Sequence, residues 1–269
     1  MHTSASDGTE SPEAMVRRAR ALGFCALGIA DHDTLDGLPA AESAARSEGL
    51  EVVPGVEINT DYQQREVHVL GYYPNLAHPP FLGLLRRLRE GRTERLQRML
   101  ARLEEAGLPL SLERVLALAA GGPVGRPHVA QAMHERGYVR SIKEAFERYL
   151  GLGRPGYVER YRVTPQQAVE QILDARGVPV LAHPGLVARD ELVVELVEVG
   201  LKGLEVYHPD HKPADVRRYL ELAQRLGLLV TGGSDCHGPA AGRPALLGSV
   251  RIPYVLLEKL KEARVRLAS

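Results

Sequence analysis

The sequence predicts an α/β fold whose parallel sheet has enough strands to close as a barrel. Short apolar runs typical of buried strands alternate with helical segments, and the helices begin and end at recognisable cap residues. Such alternation implies right-handed crossovers and parallel strand pairing. The middle third of the chain breaks the alternation. With 269 residues, the chain can form one large domain or a barrel that carries an insertion.

The N-terminal part supplies the first two helices and three strands. Serine, proline and glutamate open the helix predicted over residues 11–22, since serine caps a helix start and proline fits its first turn. The apolar run 24–30 is typical of a buried strand. A second helix over 38–47 leads to a similar run at 50–56, and the alternating segment 65–72 predicts a further strand.

The C-terminal part returns to the same alternation. Thr164 and Gln167 form a capping box with a proline at the first helical position, which predicts a helix that ends near Gly177. The elements predicted after it are a strand at 178–182, a helix at 190–199, a strand at 203–207, a helix at 213–226 and a strand at 228–231.

Residues 79–160 contain helical segments and no convincing strand. We predict helices over about 82–106, 112–119, 127–136 and 142–150. The expected organisation is therefore a barrel built from residues 1–78 and 161–269, with a helical insertion over 79–160 that covers the active-site face.

The composition narrows the classes of partner. Lysine and arginine (34) balance aspartate and glutamate (34), which argues against broad electrostatic capture of nucleic acid or membrane, so an anionic substrate must be held locally. No apolar run approaches the roughly 20 residues of a membrane span, and the N-terminus lacks a signal pattern. We expect a cytoplasmic protein with no membrane association and no stable protein partner.

Ligand-type side chains stand where predicted strands end. In residues 230–238, Asp235 and His237 are two apart and share a face of an extended chain. His32, Glu57 and His183 also follow apolar runs, and parallel α/β barrels place their active sites at the C-terminal ends of the strands. Taken singly, each has an ordinary interpretation as a turn, loop or core residue, but their equivalent positions favour a metal site.

His68 lies within the alternating strand 65–72, on the same face as Glu66 and Leu70. Periodicity does not say whether that face looks into the barrel. A metal ligand and a buried, paired histidine are both open for this position.

Six short stretches contain the candidate ligands, in chain order: His2-Thr-Ser-Ala-Ser-Asp7, Ala30-Asp-His-Asp-Thr-Leu-Asp-Gly37, Pro54-Gly-Val-Glu-Ile-Asn59, Val67-His-Val-Leu-Gly71, Ala182-His-Pro-Gly185 and Gly233-Ser-Asp-Cys-His-Gly238. Together they resemble the motifs of the PHP family, named for polymerase and histidinol phosphatase. The chain is most similar to the branch that acts on nucleoside 3',5'-bisphosphates and short RNA 5' ends, because its helical segment contains Gly125-Arg-Pro-His128.

The resemblance implies a distorted, TIM-like (β/α)7 barrel with up to three divalent metal ions on its C-terminal face. The implied ligands are His2, Glu57 and Asp235 for one metal, Glu57, His68 and His183 for the second, and Asp7, His32 and His237 for the third. Imidazole and carboxylate ligands without thiolate favour Mn, Fe or Zn.

The predicted chemistry is hydrolysis of phosphate esters. Closely spaced metals activate water and stabilise the charge of an in-line displacement. We expect metal-bound water as the nucleophile, with Glu57, Asp235 and His237 at the catalytic centre. The implied substrates are the 3'-phosphate of nucleoside 3',5'-bisphosphates and short 5'-phosphorylated RNA degraded from its 5' end. A histidinol-phosphate phosphatase and a non-catalytic or impaired PHP module are the alternatives.

Substrate contacts are expected from the helical segment. We assign Arg126 and His128 to a second phosphate, because a helix start favours anions. Arg92 belongs to an arginine stripe that is more typical of a solvated helix face, although one of its members could reach the site. His208, after the predicted strand 203–207, is a further candidate.

The family's first motif is a strand followed by His-x-His, and His2 matches its second histidine. The resemblance therefore implies that the first strand and one histidine have no counterpart in residues 1–269. We expect translation to start upstream of Met1. The alternative is a true loss, which would weaken the first metal site and impair the enzyme.

Overall fold

A computed structural model describes residues 1–119, 124–159, 161–239 and 246–268. The strands are β1 (Ala26–His32), β2 (Glu51–Tyr62), β3 (Arg65–Tyr72), β4 (Val178–Leu181), β5 (Gly203–Tyr207) and β6 (Leu229–Gly232). The helices are α1 (Pro12–Ala21), α2 (Leu38–Glu48), α3 (Pro79–Glu105), α4 (Leu112–Leu118), α5 (Arg126–Glu135), α6 (Ile142–Ala145), α7 (Pro165–Asp174), α8 (Pro184–Val187), α9 (Asp190–Glu198), α10 (Pro213–Leu226) and α11 (Tyr254–Ala268), with a π-helical turn at Phe146–Leu150.

The predicted α/β class is confirmed, and the described strands form one curled sheet in the order β1 to β6. The neighbours β1 and β2 are parallel, as are β4, β5 and β6. The prediction of uniformly parallel pairing is wrong for β3, which runs antiparallel to both β2 and β4. Only two residues connect β2 to β3, and a connection of that length joins antiparallel strands.

The β2–β3 hairpin explains where Glu57 and His68 lie. The expectation that β2 ends at Glu57 is wrong, because the strand continues to Tyr62 in order to pair with β3. Residue 57 is opposite Leu70, and His68 is opposite Asn59. Directly opposite residues share a face of the sheet, and so do residues two apart on one strand. Glu57 and His68 therefore point to the same side.

The N-terminal residues lie between β1 and the segment that follows β6. The amide of Ala30 donates to the carbonyl of Met1 (2.9 Å), and the amide of His2 donates to the carbonyl of Cys236 (3.0 Å). A cavity of about 420 Å³ is lined by residues of both β1 and β6. Among the described strands, β1 and β6 are the two edges of the sheet. A closed seven-stranded barrel stays a prediction.

The chain divides into two compact units, Met1–Leu85 with Arg162–Ser269, and Arg86–Tyr161. The first unit has an apolar core on each side of its sheet: α1 and α2 pack against β1 through Met15 and Leu38, and α11 packs through Leu260. The second unit has its own core around Leu103 and Met133. Each unit therefore buries apolar surface of its own.

The two helix caps predicted from the sequence are both present. Ser11 Oγ accepts from the amide of Ala14, and Thr164 and Gln167 form the expected reciprocal pair. The helix predicted over 142–150 instead changes at residue 146 from α to π geometry. Within the ranges that the structure describes, none of the helices combines the length and apolar character needed to cross a membrane.

Candidate metal centre

The N-terminal turn that carries His2 and Asp7 is fastened to β1 by Asp31. This buried carboxylate accepts from the amide of Thr3 (2.6 Å), from Thr3 Oγ1 (2.8 Å) and from Ser6 Oγ (2.6 Å). His2 is only 1% exposed. The position of the first two candidate ligands thus depends on a side chain that is not itself a candidate ligand.

Glu57 lies at the middle of the cluster and its two carboxylate oxygens face different histidines. Its Oε1 is 2.8 Å from His68 Nδ1 and 3.3 Å from His183 Nε2, whereas its Oε2 is 2.9 Å from His2 Nε2. The side chain is buried, at 3% exposure. A carboxylate in this position is suited to bridge two cations.

His32 is the last residue of β1, and two turns with left-handed backbone geometry carry His183, Asp235 and His237. His183 follows β4 with φ +28°, and Asp235 follows β6 with φ +44°. Asp235 Oδ1 is 2.9 Å from His2 Nε2. His237 Nε2 is 3.4 Å from Asp7 Oδ2.

The structure brings all eight predicted metal ligands to one place. Among the described residues, three groups have ligand atoms within 4.8 Å of one another: His2, Asp7, His32 and His237; His32, Glu57 and His68; and His2, Glu57 and Asp235. His183 joins the second group, because its Nε2 is 3.2 Å from His68 Nδ1. Only the group of His2, Glu57 and Asp235 equals an expected set. The first group contains His2 in addition to the expected residues, and the second contains His32 where His183 was expected. The role of each residue as a ligand stays a prediction.

The electrostatics of the cluster keep its carboxylates ionised. Burial opposes ionisation of Glu57, but the charge of His68 and hydrogen bonds from His183 and His2 hold its pKa well below the usual range. The pKa of Asp235 is lowered likewise, against its burial, chiefly by hydrogen bonds with His2 and His208. Ionised oxygens clustered in a buried site attract cations.

Two histidines of the cluster, His2 and His68, have raised pKa values, and His32 has a lowered one. Burial alone would lower the pKa of His2, but its hydrogen bonds to Asp235 and Glu57 raise it to about 9. Burial also opposes the charge on His68, and Glu57 raises that pKa to about 10. Burial and the neighbouring charge of His2 lower the pKa of His32 to about 3.

The donor set fits divalent metal ions. In the described part of the chain, the Nδ1 atoms of His2 and His183 are buried without a hydrogen-bond partner. Buried polar atoms normally have such partners, so the unpaired nitrogens indicate a missing one. Imidazole and carboxylate donors suit Mn, Fe or Zn.

Three supporting residues were not predicted as part of the site. Besides Asp31, Asp33 accepts from both the amide (3.0 Å) and the side chain (2.8 Å) of Asn59, whose Nδ2 is 3.3 Å from His32 Nδ1. These contacts hold the His32 ring with its Nε2 toward Asp7. Asp31 and Asp33, on each side of His32, were visible in the sequence as possible supporting residues. Their spacing along the chain does not reveal their hydrogen-bond partners.

The predicted substrate residues fall in both units. His208 belongs to the unit of the metal cluster, and its Nε2 is 3.8 Å from Asp235 Oδ2. Arg92, Arg126 and His128 belong to the unit Arg86–Tyr161. The Arg126 guanidinium lies 5.6 Å from the Phe146 ring centre and 6.0 Å from that of Tyr157, and these substrate contacts stay predictions.

Relatives of this chain act on phosphate esters. It is 38% identical over 245 residues to the 5'-3' exoribonuclease Rnm of Escherichia coli (strain K12), covering 88% of this chain and 84% of that one. It is 32% identical over 249 residues to the 3',5'-nucleoside bisphosphate phosphatase of Chromobacterium violaceum, covering 90% and 87% of the two chains.

A solved structure and a family model agree with these relatives. A Bifidobacterium adolescentis protein assigned as a metal-dependent phosphoesterase superposes with a TM-score of 0.79 at 32% identity, covering 97% of this chain and 94% of that one. The model described as PHP domain matches residues 1–160. The chain therefore belongs to the PHP domain family, and it is a hydrolase that acts on phosphate esters.

Proposed function

We propose that this chain removes the 3'-phosphate of nucleoside 3',5'-bisphosphates and degrades short 5'-phosphorylated RNA from its 5' end. The observation that carries the proposal is the position of Glu57, whose two oxygens face separate sets of histidines across one buried cluster. The activities of the Escherichia coli and Chromobacterium violaceum relatives support the choice of substrates.

The eight clustered residues would hold up to three divalent cations. His2 and Asp235 would serve one together with Glu57, which His68 and His183 would share with a second, while Asp7, His32 and His237 would serve the third. Bound cations of this kind clamp phosphate oxygens, activate water and stabilise the charge of the displacement. The residues themselves would orient the cations through fixed turns, and the buried His2, Glu57 and His183 would keep bulk water from their side of the site.

Arg126 and His128 are proposed to hold the second phosphate of the substrate. Arg126 opens α5, and His128 Nδ1 accepts from the amide of Gly125 (3.1 Å), which leaves its other ring nitrogen available. Helix starts and guanidinium groups both favour phosphate oxygens. Arg92 and His208 are weaker candidates for the same task.

The decisive experiment measures phosphate release from adenosine 3',5'-bisphosphate by purified protein with Mn²⁺. Glu57→Gln should lower kcat by at least about 100-fold, because Glu57 is the one candidate ligand that would serve two of the cations. The exposed Glu221→Gln is the matched control and should retain activity. Activity that survives both exhaustive chelation and Glu57→Gln contradicts the metal-based proposal.

Two further assays define the substrate. Histidinol phosphate in place of the bisphosphate tests the competing phosphatase activity, and faster turnover of it would overturn the proposed preference. A 5'-phosphorylated oligoribonucleotide should yield a ladder of products shortened from the 5' end. Absence of turnover with all three substrates would favour the non-catalytic alternative.

A further inference from the structure

The turn formed by His183, Pro184 and Gly185 adopts a backbone conformation that needs support from elsewhere. His183 has φ +28° and ψ 57°, a backbone conformation that residues other than glycine rarely adopt. Such a conformation persists only where surrounding groups determine it. His183 is a candidate metal ligand, so the support of this turn bears directly on the metal centre.

Three side chains, one from β5, one from the connection that follows it and one from α10, each bind a backbone group of a different residue of the turn. Glu205 Oε2 accepts from the amide of His183 (3.0 Å). The Tyr219 hydroxyl donates to the carbonyl of Pro184 (3.1 Å). His211 Nε2 accepts from the amide of Gly185 (3.0 Å).

His211 is held in one tautomer by its two partners. Its Nδ1 donates to the carbonyl of Val206 (2.8 Å), so its Nε2 is free to accept from Gly185. A Cβ on residue 185 would lie 2.6 Å from the ring of His211. Glycine is therefore needed at this position for the imidazole to approach the turn.

We propose that Glu205, His211 and Tyr219 are positioning residues that hold the His183 turn so that its imidazole faces Glu57 and His68 before a cation arrives. None of the three belongs to the eight candidate ligands. The inference rests on the proposed function only in taking His183 as a ligand. It concerns how the ligand is presented, and it predicts a change in metal affinity instead of a change in the chemical step.

The test compares substitutions that remove or keep these bonds. His211→Leu removes both bonds at similar volume, whereas His211→Gln keeps an amide oxygen to accept and an amide nitrogen to donate. Tyr219→Phe removes one hydroxyl and keeps the ring. The exposed Tyr161→Phe in the other unit is the matched control.

Two readouts use chelator-treated protein and do not depend on activity. Titration calorimetry with Mn²⁺ should show affinity weakened about 10- to 100-fold in His211→Leu, less in Tyr219→Phe, and within about threefold of the native protein in His211→Gln. Amide exchange by NMR should be faster at Gly185 in His211→Leu. Excess Mn²⁺ should restore kcat in the affected variants.

The opposite results are equally clear. Unchanged Mn²⁺ affinity in a folded His211→Leu protein overturns the proposal. An equal loss of Mn²⁺ affinity in His211→Leu and His211→Gln also overturns it. If His211→Leu fails to fold, Tyr219→Phe decides, and native affinity in that variant rejects a positioning role. Failure of the native protein to hydrolyse any phosphate ester would count against the proposed function. The positioning role would still be tested by the Mn²⁺ affinity and the amide exchange rate.

Discussion

Glu57 and its histidine neighbours link metal binding to protons. Metal coordination requires neutral imidazoles, so protons bound to the ligands compete with the cation. His2 and His68 retain their protons up to pKa values of about 9 and about 10 in the metal-free site, since both pair with Glu57. Because these pKa values are raised, metal affinity should increase as the pH rises toward them.

We expect Mn²⁺ affinity to rise between pH 6 and pH 8.5. At pH 7 the metal displaces the protons of His2 and His68, so full loading should release about two protons. Calorimetry in buffers of different ionisation enthalpy measures this release directly. An affinity independent of pH, with no protons released, would show that the two histidines are neutral or are not ligands.

Asp31 supports the N-terminal turn through three hydrogen bonds to its carboxylate. Asp31→Ala should lower the free energy of unfolding of the metal-free protein by about 3 kcal/mol, because buried donors on Thr3 and Ser6 lose their acceptor. Asp31→Asn keeps an oxygen acceptor and should lower the free energy of unfolding by a smaller amount. Urea unfolding with Glu221→Gln as the control gives the comparison, and equal losses for Ala and Asn would reject this account.

Among the elements, the β2–β3 hairpin has the most direct effect on the candidate metal centre, because it reverses the direction of β3 and places Glu57 beside His68. Its two connecting residues, Gln63 and Gln64, have φ +51° and φ +65°. Positive φ at both central positions defines a type I′ turn, which favours Asn-Gly. The native residues are therefore not the best suited to this geometry.

Replacing Gln63-Gln64 by Asn-Gly should stabilise the protein. Relief of the left-handed strain is expected to contribute about 1 kcal/mol, which raises Tm by about 2–4 °C. Gln224→Gly, inside α10, is the matched control and should act in the opposite direction because glycine weakens a helix interior. Phosphate release should be unchanged, and a lowered Tm in the Asn-Gly variant would contradict the assigned turn type.

For the whole molecule, all eight candidate ligands lie in the unit Met1–Leu85 with Arg162–Ser269, while the unit Arg86–Tyr161 has a separate apolar core. A ligand stabilises the unit that binds it by an amount set by its concentration relative to Kd. Metal should therefore act unequally on the two units.

Calorimetric unfolding should show this asymmetry. Mn²⁺ at 100 times its Kd should stabilise the metal-binding unit by about 2.7 kcal/mol and raise the melting temperature of that unit alone. Chelation should reverse the shift. A single transition that moves as a whole would show that the two units unfold together.

The sequence alone located the candidate ligands because the signals are local. Apolar runs of strand length mark where β1, β4 and β6 end, and His32, His183 and Asp235 follow them within a few residues. Caps such as Ser11 and Thr164 also depend on neighbours only three residues away. The resemblance to the PHP family then grouped the ligands, and a further strand before His2 stays a prediction.

Only the tertiary structure decided how β3 pairs, where Glu57 lies within β2, and which side chains hold the ligands in place. Asp31 meets Thr3 across 28 positions and His211 meets Gly185 across 26, so no periodicity records either contact. The strand and helix periods arise from backbone geometry and are visible in short windows. Hydrogen bonds between distant segments depend on how those segments pack, and that is determined by the folded chain as a whole.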